Sequence, residues 1–455
     1  MNIPAIIDRA LVSKYNVNGP RYTSYPTALQ FEHFEDCDLL DENGSLAGND
    51  FSIYIHIPFC HQLCYYCGCN KIVTRHQERA DRYLDYLEKE IIRRADIASQ
   101  SEVRQIHLGG GSPSFLTIAQ HTRLMAMLHH YFTVAASAQI SIELDPRHID
   151  GSYLAWLAQL GYNRISLGVQ DIDEQVQNAI NRVQDTAHIA ELVRRAQQLG
   201  IASVNLDLIY GLPHQSVETF TTTLTAVKAM APDRISLFSY AHLPKRFAAQ
   251  RKIHDDWLPA PEQKLTLMEL AISRLTGAGY EMIGMDHFAL RDDELSIAKR
   301  DGKLHRNFQG YTSCGDLYML GLGVSAISDT GEIYSQNPKR LNDYYEKIDS
   351  GKGLTQVGYR LTEDDTARRF VIQSLMCNLI VAFDAIQKYT RTCPRQYFNA
   401  ELTALKPFIE DGLVSVTGQA IVVHETARLL IRTICSTFDA YLPAQGAAQR
   451  YSRVI

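Results

Sequence analysis

Residues 51–71 read FSIYIHIPFCHQLCYYCGCNK. The opening third alternates β-branched and apolar residues with others, so Ser52–Pro58 is expected to be a strand. Pro58 ends it, and a polar, glycine-containing loop follows that carries Cys60, Cys64, Cys67 and Cys69. The chain has nine cysteines, an odd number, and four crowd into this one loop. A disulfide framework would be spread more evenly through a small secreted chain, whereas clustered thiols in a large chain point to metal or catalysis. Three thiolates spaced by three and then two residues can wrap one iron–sulfur cubane from a single loop. Structural zinc normally takes four ligands in two pairs. No second CxxC pair follows, but Cys69 or His61 could complete a tetrahedron, so zinc stays open beside iron–sulfur. A cubane held by three thiolates leaves one iron without a protein ligand, as a catalytic metal requires.

Outward from this loop the sequence keeps one rhythm. Short apolar runs at Val103–Leu108, Gln139–Leu144, Arg164–Val169, Ser203–Ile209 and Arg234–Tyr240 alternate with longer amphipathic stretches. Ala80, Leu84, Leu87 and Ile91 recur at helical spacing, and Thr117–Phe132, Gly151–Leu160, Thr186–Leu199 and Val217–Met230 read the same way. Gly161 and Gly200 supply C-terminal stops. Six β-then-α units predict a parallel sheet with helices outside, as an open sheet or a barrel. Functional residues then belong at the C-terminal strand ends. Cys60, Gly109–Gly111, Asp145, Gln170 and Tyr210–Pro213 all fall there.

The flanks differ. Residues 1–50 lack sustained periodicity, and GPRYTSYPTA (19–28) reads as an arm or loop. After about residue 360 a helix is expected at Asp364–Cys377, a hairpin at Leu413–Val423 and a helix at Thr426–Phe438. The expected division is an N-terminal arm (1–50), a catalytic barrel with its extension (51–330) and a mainly helical, winged-helix-like domain (331–455). Of the 455 residues 45% are apolar and 21% charged, and the net charge is −6, ordinary for a globular chain and unlike a nucleic-acid binder. The longest near-apolar run, Leu317–Ile327, is far too short to span a bilayer. The N-terminus, with Asp8 and no apolar core, is unlike a leader. A cytoplasmic monomer is the expectation.

CxxxCxxC after a first strand, with an aromatic residue before the last Cys, resembles the radical S-adenosylmethionine (SAM) superfamily. LGGGSP (108–113) is similar to that superfamily's glycine motif, with Ser112 where Thr is usual. The resemblance implies one [4Fe–4S] cluster on Cys60, Cys64 and Cys67, whose open iron chelates SAM's methionine moiety. SAM is then cleaved to methionine and a 5′-deoxyadenosyl radical. More narrowly, GPRYTSYPTA at 19, YIHIPFCHQLCYYCGCNK at 54, SIELDPR at 141, SLGVQD at 166, NLDLIYGLP at 205, SYAHLP at 239, GMDHFA at 284, HRNFQGYT at 305, GVSAIS at 323 and the terminal SRVI resemble the oxygen-independent coproporphyrinogen III oxidases. The fold implied is a partial (β/α)6 barrel. The implied reaction is oxidative decarboxylation of two propionates of coproporphyrinogen III to vinyl groups, giving protoporphyrinogen IX in haem biosynthesis.

Two SAM molecules are implied. Tyr54, Gly110, Glu143 and Ile327 match contacts of the cluster-bound one. Gly111, Ser112, Gln170, Arg182, Asp207 and Ala241 match contacts of the second, with Tyr66 beside them in place of the commoner Phe. Cys69 is expected to handle a proton or electron rather than iron, and Phe308 and Gln309 to neighbour the second SAM or the substrate. Arg21, Lys71, Arg75 and Arg306 are candidate propionate anchors, with Tyr22 and Tyr25 on an arm over the substrate. An electron donor and a terminal acceptor must also exist. A haem chaperone of the same superfamily is the alternative, but such relatives generally lack the RYTSYP arm and the fourth cysteine. A related methyltransferase and a zinc-dependent nucleic-acid binder are weaker readings. His56 and His287 alone read as core histidines, and no role is assigned to Cys314.

Overall fold

The computed structural model describes residues 8–34, 37–43, 46, 48–315 and 317–442. The terminal SRVI motif lies outside them. The chain forms two compact units, one of residues 32–271 and 316–359, the other of residues 1–31, 272–315 and 360–455.

In the first unit, six parallel strands lie side by side in chain order: β1 (Phe51–Ile57), β2 (Glu102–Gly110), β3 (Thr133–Leu144), β4 (Arg164–Gln170), β5 (Ser203–Tyr210) and β6 (Arg234–Ser239). A seventh, β7 (Tyr318–Leu322), pairs parallel with β1, placing Gly321 opposite Tyr54. Ile327–Asp329, Ile333–Gln336, Val357–Arg360 and Glu32–His33 continue the sheet beyond β7. The sheet does not close on itself; it is a partial (β/α)6 barrel. Two of these strands, Ile333–Gln336 and Val357–Arg360, lie past residue 330. They are too short to announce themselves by alternation, and the chain returns to the sheet after the hairpins of the second unit.

The helices start where local chemistry dictates. Thr117 and Gln120 form a reciprocal capping box before Ile118–Tyr131, as do Ser216 and Thr219 before Val217–Met230. Asp150 and Asp185 accept backbone N–H groups at the starts of Gly151–Gln159 and Thr186–Gln198. Each such cap contributes about 1 kcal/mol. Ala80, Leu84, Leu87 and Ile91 of Glu78–Ala95 are fully buried, the stripe expected from their spacing.

Parallel strands buried on both faces usually read as continuous apolar runs. These alternate. Ile53, Ile55, Ile106, Leu108, Ile142, Leu167, Leu206 and Leu237 are buried on one face. Opposite-parity residues are polar and bonded to one another across strands. Gln105 Nε2 donates to Gln139 Oε1 at 2.7 Å, His107 Nδ1 meets Ser141 Oγ at 2.6 Å, and Ser166 Oγ donates to Asp207 Oδ2 at 2.9 Å. The concave face is therefore a polar surface rather than a packed hydrocarbon core.

The second unit contains the helix Glu363–Asn378, a small sheet of Ile380–Ala382, Ala420–Val423 and Val414–Val416, and the helix Ile431–Ser436. The helix expected over Thr426–Phe438 begins as a 3-10 turn, Glu425–Leu430. The N-terminal residues belong to this unit. Tyr15 stacks on Phe408 at 4.6 Å, Tyr22 Oη donates to Asp439 at 3.0 Å, and Tyr25 Oη accepts from Ala440 N at 3.0 Å. Tyr22 and Tyr25 are 3% and 1% exposed, and their rings are core. Arg9–Tyr15 is a short helix capped by Asp8.

Candidate active site

The cysteine loop is closed at its base by Phe59–Cys60 pairing with Ile72–Val73. Ile72 N donates to Pro58 O at 2.6 Å, and Thr74 N to Cys60 O at 3.0 Å. Its far side is pinned by Asn181, whose Nδ2 donates to Leu63 O at 2.7 Å, and by Tyr65 N donating to Ile180 O at 2.9 Å. The glycine loop lies against the start of this turn, with Gly111 N on Ile57 O and Ser112 N on Phe59 O, both at 2.8 Å. A Cβ on Gly111 would stand 2.8 Å from the Phe59 carbonyl oxygen, so the contact demands glycine. Gly110 has φ +112°, and a Cβ there would lie 2.6 Å from the His56 ring.

Cys64 is buried beside two guanidinium groups. Arg182 Nη1 approaches its Sγ at 3.5 Å and Arg147 Nη2 at 3.6 Å. Both arginines pair with Asp145, at 3.4 and 2.6 Å. Burial alone would raise the Asp145 carboxyl, but the Arg182 charge and the Arg147 hydrogen bond outweigh it and hold it well below the usual carboxylate range. Arg182 Nη2 also donates to Gly168 O at 2.7 Å, while its buried Nε has no partner among the described residues. Lys71 turns back on the loop, Nζ to Cys67 O at 3.0 Å. The Cys67 thiol is lowered to about 6, first by its hydrogen bond with Cys69 and, against burial, by Lys71. Its partner Cys69 is raised. Burial, then the neighbouring thiols, push Cys60 up to about 12.

On the concave wall, His56 Nε2 faces the Asn70 carbonyl at 2.9 Å and must donate to it. Its Nδ1 then accepts from Tyr54 Oη at 3.1 Å. Burial lowers His56, which favours this neutral ring. Tyr54 stacks on His107, whose Nε2 reaches Glu143 at 3.4 Å, and Gly110 N donates to Glu143 Oε2 at 3.3 Å. The Glu143 side chain is 46% exposed although strands flank it, so it fronts open space. Burial opposes ionisation of Glu143, but the His107 hydrogen bond prevails and lowers its pKa.

Tyr54, Gly110, Glu143 and the cysteine loop are thus brought together. Gly321, which pairs with Tyr54, leaves no room for a Cβ beside the Ile327 backbone, placing Ile327 next to that pair. Ser112 is buried, its Oγ on Ser114 Oγ at 2.8 Å. Gln170, buried at φ +66°, ends β4 at a bulge, and Asp207, on the adjacent strand beside Asn205, accepts from Ser166 Oγ of β4. Ala241 follows β6. Gln309, Phe308, Arg21, Arg306 and Cys314 belong to the other unit. There Gln309 N donates to Asn307 Oδ1 at 2.9 Å, its buried Nε2 has no partner among the described residues, and Arg306 pairs with Asp286 at 3.4 Å. Arg147 and His107 carried no signal alone, although Arg147 sits in the quoted SIELDPR stretch.

Among the described residues no three His, Cys, Asp or Glu side chains converge as ligands of a single metal ion. A cubane takes each thiolate on a different iron, so its ligands stand farther apart than those of one ion. The loop fits such a group: three thiols on one closed turn, with Lys71, Arg147 and Arg182 to balance thiolate charge.

The radical SAM superfamily model matches residues 54–227, and the HemN C-terminal domain model matches 361–430. The oxygen-independent coproporphyrinogen III oxidases of Salmonella typhimurium and Escherichia coli strain K12 are each 51% identical over 449 residues, covering 98% of this chain and 98% of theirs. That of Pseudomonas aeruginosa is 45% identical over 98% of both chains. The chain belongs to the oxygen-independent coproporphyrinogen III oxidases. The solved structure of coproporphyrinogen III oxidase (HemN) from Escherichia coli, a radical SAM enzyme, superposes with TM-score 0.91 at 49% identity, covering 96% of this chain and 99% of that one. Membership makes the chain a radical SAM oxidoreductase and implies a [4Fe–4S] cluster and SAM. Among the described residues no helix is long and apolar enough to cross a membrane.

Proposed function

We propose that this chain converts two propionates of coproporphyrinogen III to vinyl groups with loss of two CO2, giving protoporphyrinogen IX. The observation that carries the reading is the meeting of the three-thiol loop with the Tyr54–Gly110–Glu143 wall, in a chain aligned end to end with the oxidases. When bound, the cluster and SAM supply the 5′-deoxyadenosyl radical that removes a hydrogen from a propionate β-carbon. Cys60, Cys64 and Cys67 hold the cluster, and Arg147 and Arg182 offset the charge on Cys64.

Tyr54, Gly110, Glu143 and Ile327 bind the cluster-bound SAM. The Glu143 carboxylate, kept ionised by His107, suits an ammonium group. Gly111, Ser112, Gln170, Arg182, Asp207 and Ala241, with Tyr66 alongside, bind a second SAM. The unpartnered Nε of Arg182 is the donor left for it. Cys69, hydrogen-bonded to Cys67 and exposed, handles a proton or electron, and Gln309 acts near the substrate. The electron donor and terminal acceptor are separate molecules, and the enzyme works as a cytoplasmic monomer.

The test is mass spectrometry of an anaerobic reaction of reconstituted enzyme with SAM, reductant, electron acceptor and coproporphyrinogen III. Loss of two CO2 alongside 5′-deoxyadenosine is expected. An unchanged macrocycle would overturn the substrate assignment, and tight stoichiometric haem binding would then point to a chaperone.

A further inference from the structure

The segment after β6 packs against the cysteine loop. Tyr65 and Tyr66 pack against the buried cluster of Val176, Ile180, Ile209, Leu212, Tyr240 and Ile253. Lys252 Nζ lies 5.4 Å from the centre of the Tyr65 ring. The Phe247 ring closes on Gly68 so tightly that a Cβ there would stand 2.9 Å from its Cζ. At the centre of this segment is Gln250, 2% exposed, in the short turn Ala248–Lys252. Its Nε2 donates to Tyr66 O at 2.8 Å and to Ala241 O at 3.3 Å, and its Oε1 accepts from Leu243 N at 2.6 Å. One buried amide thus uses both donors and its acceptor on three backbone groups, two of them carbonyls of residues, Tyr66 and Ala241, that the preceding reading gives to the second SAM. Tyr66 directly precedes Cys67.

We propose that Gln250 is a positioning residue: it locks the Tyr66 carbonyl, and with it Cys67, to the Ala241–Leu243 loop, so that the cluster loop and the post-β6 loop move as one body. The inference rests on the reading that Cys60, Cys64 and Cys67 hold the cluster. A buried backbone carbonyl deprived of its donor re-seeks one, and the turn shifts. Displacements of about an ångström around a reacting centre cost up to about 100-fold in rate.

The full-length enzyme would be compared with Gln250→Glu, which keeps the acceptor for Leu243 and offers the two carbonyls at most one donor, as the protonated acid, and with Gln250→Leu, which loses all three bonds. Arg251→Ala is the control, because it removes only the exposed bond to Pro244 O at 3.1 Å within the same segment. Iron and sulfide content, the electron paramagnetic resonance spectrum of the reduced cluster with and without SAM, and product formed per 5′-deoxyadenosine would be measured. Both Gln250 variants should keep their iron, show an altered SAM-dependent spectrum and yield about tenfold less product per 5′-deoxyadenosine. Arg251→Ala should match the wild type. If Gln250→Leu does not fold, the isosteric Gln250→Glu carries the test alone. Wild-type spectra and ratios in Gln250→Glu, or an equal defect in Arg251→Ala, would overturn the proposal. A wild-type enzyme with no SAM-dependent spectral change would instead overturn the cluster reading beneath it.

Discussion

The two units each bury an aspartate between arginines, and the two clusters serve different ends. In the barrel unit, Asp145 sits between Arg147 and Arg182, and each guanidinium also brings one nitrogen to the Cys64 sulfur. In the other unit, Asp286 faces Arg306 at 3.4 Å, Arg21 at 4.0 Å and His287 at 2.7 Å. Nearby Arg432 is brought down to about 9, by burial first and then by Arg21 and Arg306. Its Nε donates to Pro20 O at 2.9 Å, tying the N-terminal residues to the C-terminal helix. Both aspartates are held far below the usual carboxylate range, so a perturbed carboxylate alone does not mark the chemistry. What differs is the direct contact: in the barrel cluster both guanidiniums stand at 3.5 and 3.6 Å from the Sγ of a cysteine of the loop, whereas in the other cluster Arg432 holds the Pro20 carbonyl.

The sharpest way to break this comparison is to remove the thiol. Cys64→Ser should abolish cluster assembly and turnover, read as loss of iron and of the visible absorption of the reconstituted protein. Arg182→Met comes next. It strips a buried charge partner from Asp145 and Cys64, so a loss of about 3–5 kcal/mol in stability is expected. A 10- to 100-fold fall in cluster retention or activity should accompany it, roughly the cost of losing an outer-shell partner of a metal site. Asp286→Asn should cost a similar amount, about 3–5 kcal/mol by denaturant midpoint, while leaving the cluster's absorption per folded molecule unchanged. If Asp286→Asn bleached the cluster as Arg182→Met does, the distinction between the two clusters would fail.

The barrel cluster was half legible in the sequence. The cysteine spacing, the glycine run and the six-strand rhythm are local signals, and each fell at a strand end as expected. Asp145 was visible as a strand-end residue, but its pairing with Arg182 spans 37 positions and leaves no periodic trace. Gln250 was wholly hidden, because its partner Tyr66 is 184 positions away. The N-terminal arm shows the same limit. Its prolines and hydroxyls correctly read as irregular, yet nothing local says that Tyr22 and Tyr25 bury themselves against residues more than 400 positions on. The polar concave face was legible in principle, since β1 to β6 alternate where a doubly buried parallel strand would not.

Acid titration sharpens the comparison further. For each aspartate the folded pKa lies below the unfolded value of about 3.9. Its stabilisation is therefore complete above that value and is lost as pH falls through it toward the folded value. Denaturant midpoints followed from roughly pH 5 to pH 2 should fall steeply for the wild type. Asp145→Asn and Asp286→Asn should each flatten that limb, by comparable amounts. A limb unchanged in Asp145→Asn would mean that its carboxyl is not held low by the two arginines.

The smallest effect is expected at Ser112. Its backbone is extended, at φ −149° and ψ 104°, a region that β-branched residues favour. The hydroxyl bonds Ser114 Oγ at 2.8 Å, and Ser114 Oγ in turn accepts from Asp145 N at 3.0 Å, so the hydroxyl links the glycine loop to the strand end that carries the arginine cluster. Ser112→Thr keeps that hydroxyl and adds one methyl at a site 8% exposed. The backbone accepts the branch, and any crowding should cost less than about 1 kcal/mol, with turnover close to the wild type. Ser112→Ala removes the hydroxyl and should cost about 1 kcal/mol more, together with a raised KM for SAM. Equal kinetics for the two variants would show that the link from the glycine loop to Asp145 does not reach the cofactor.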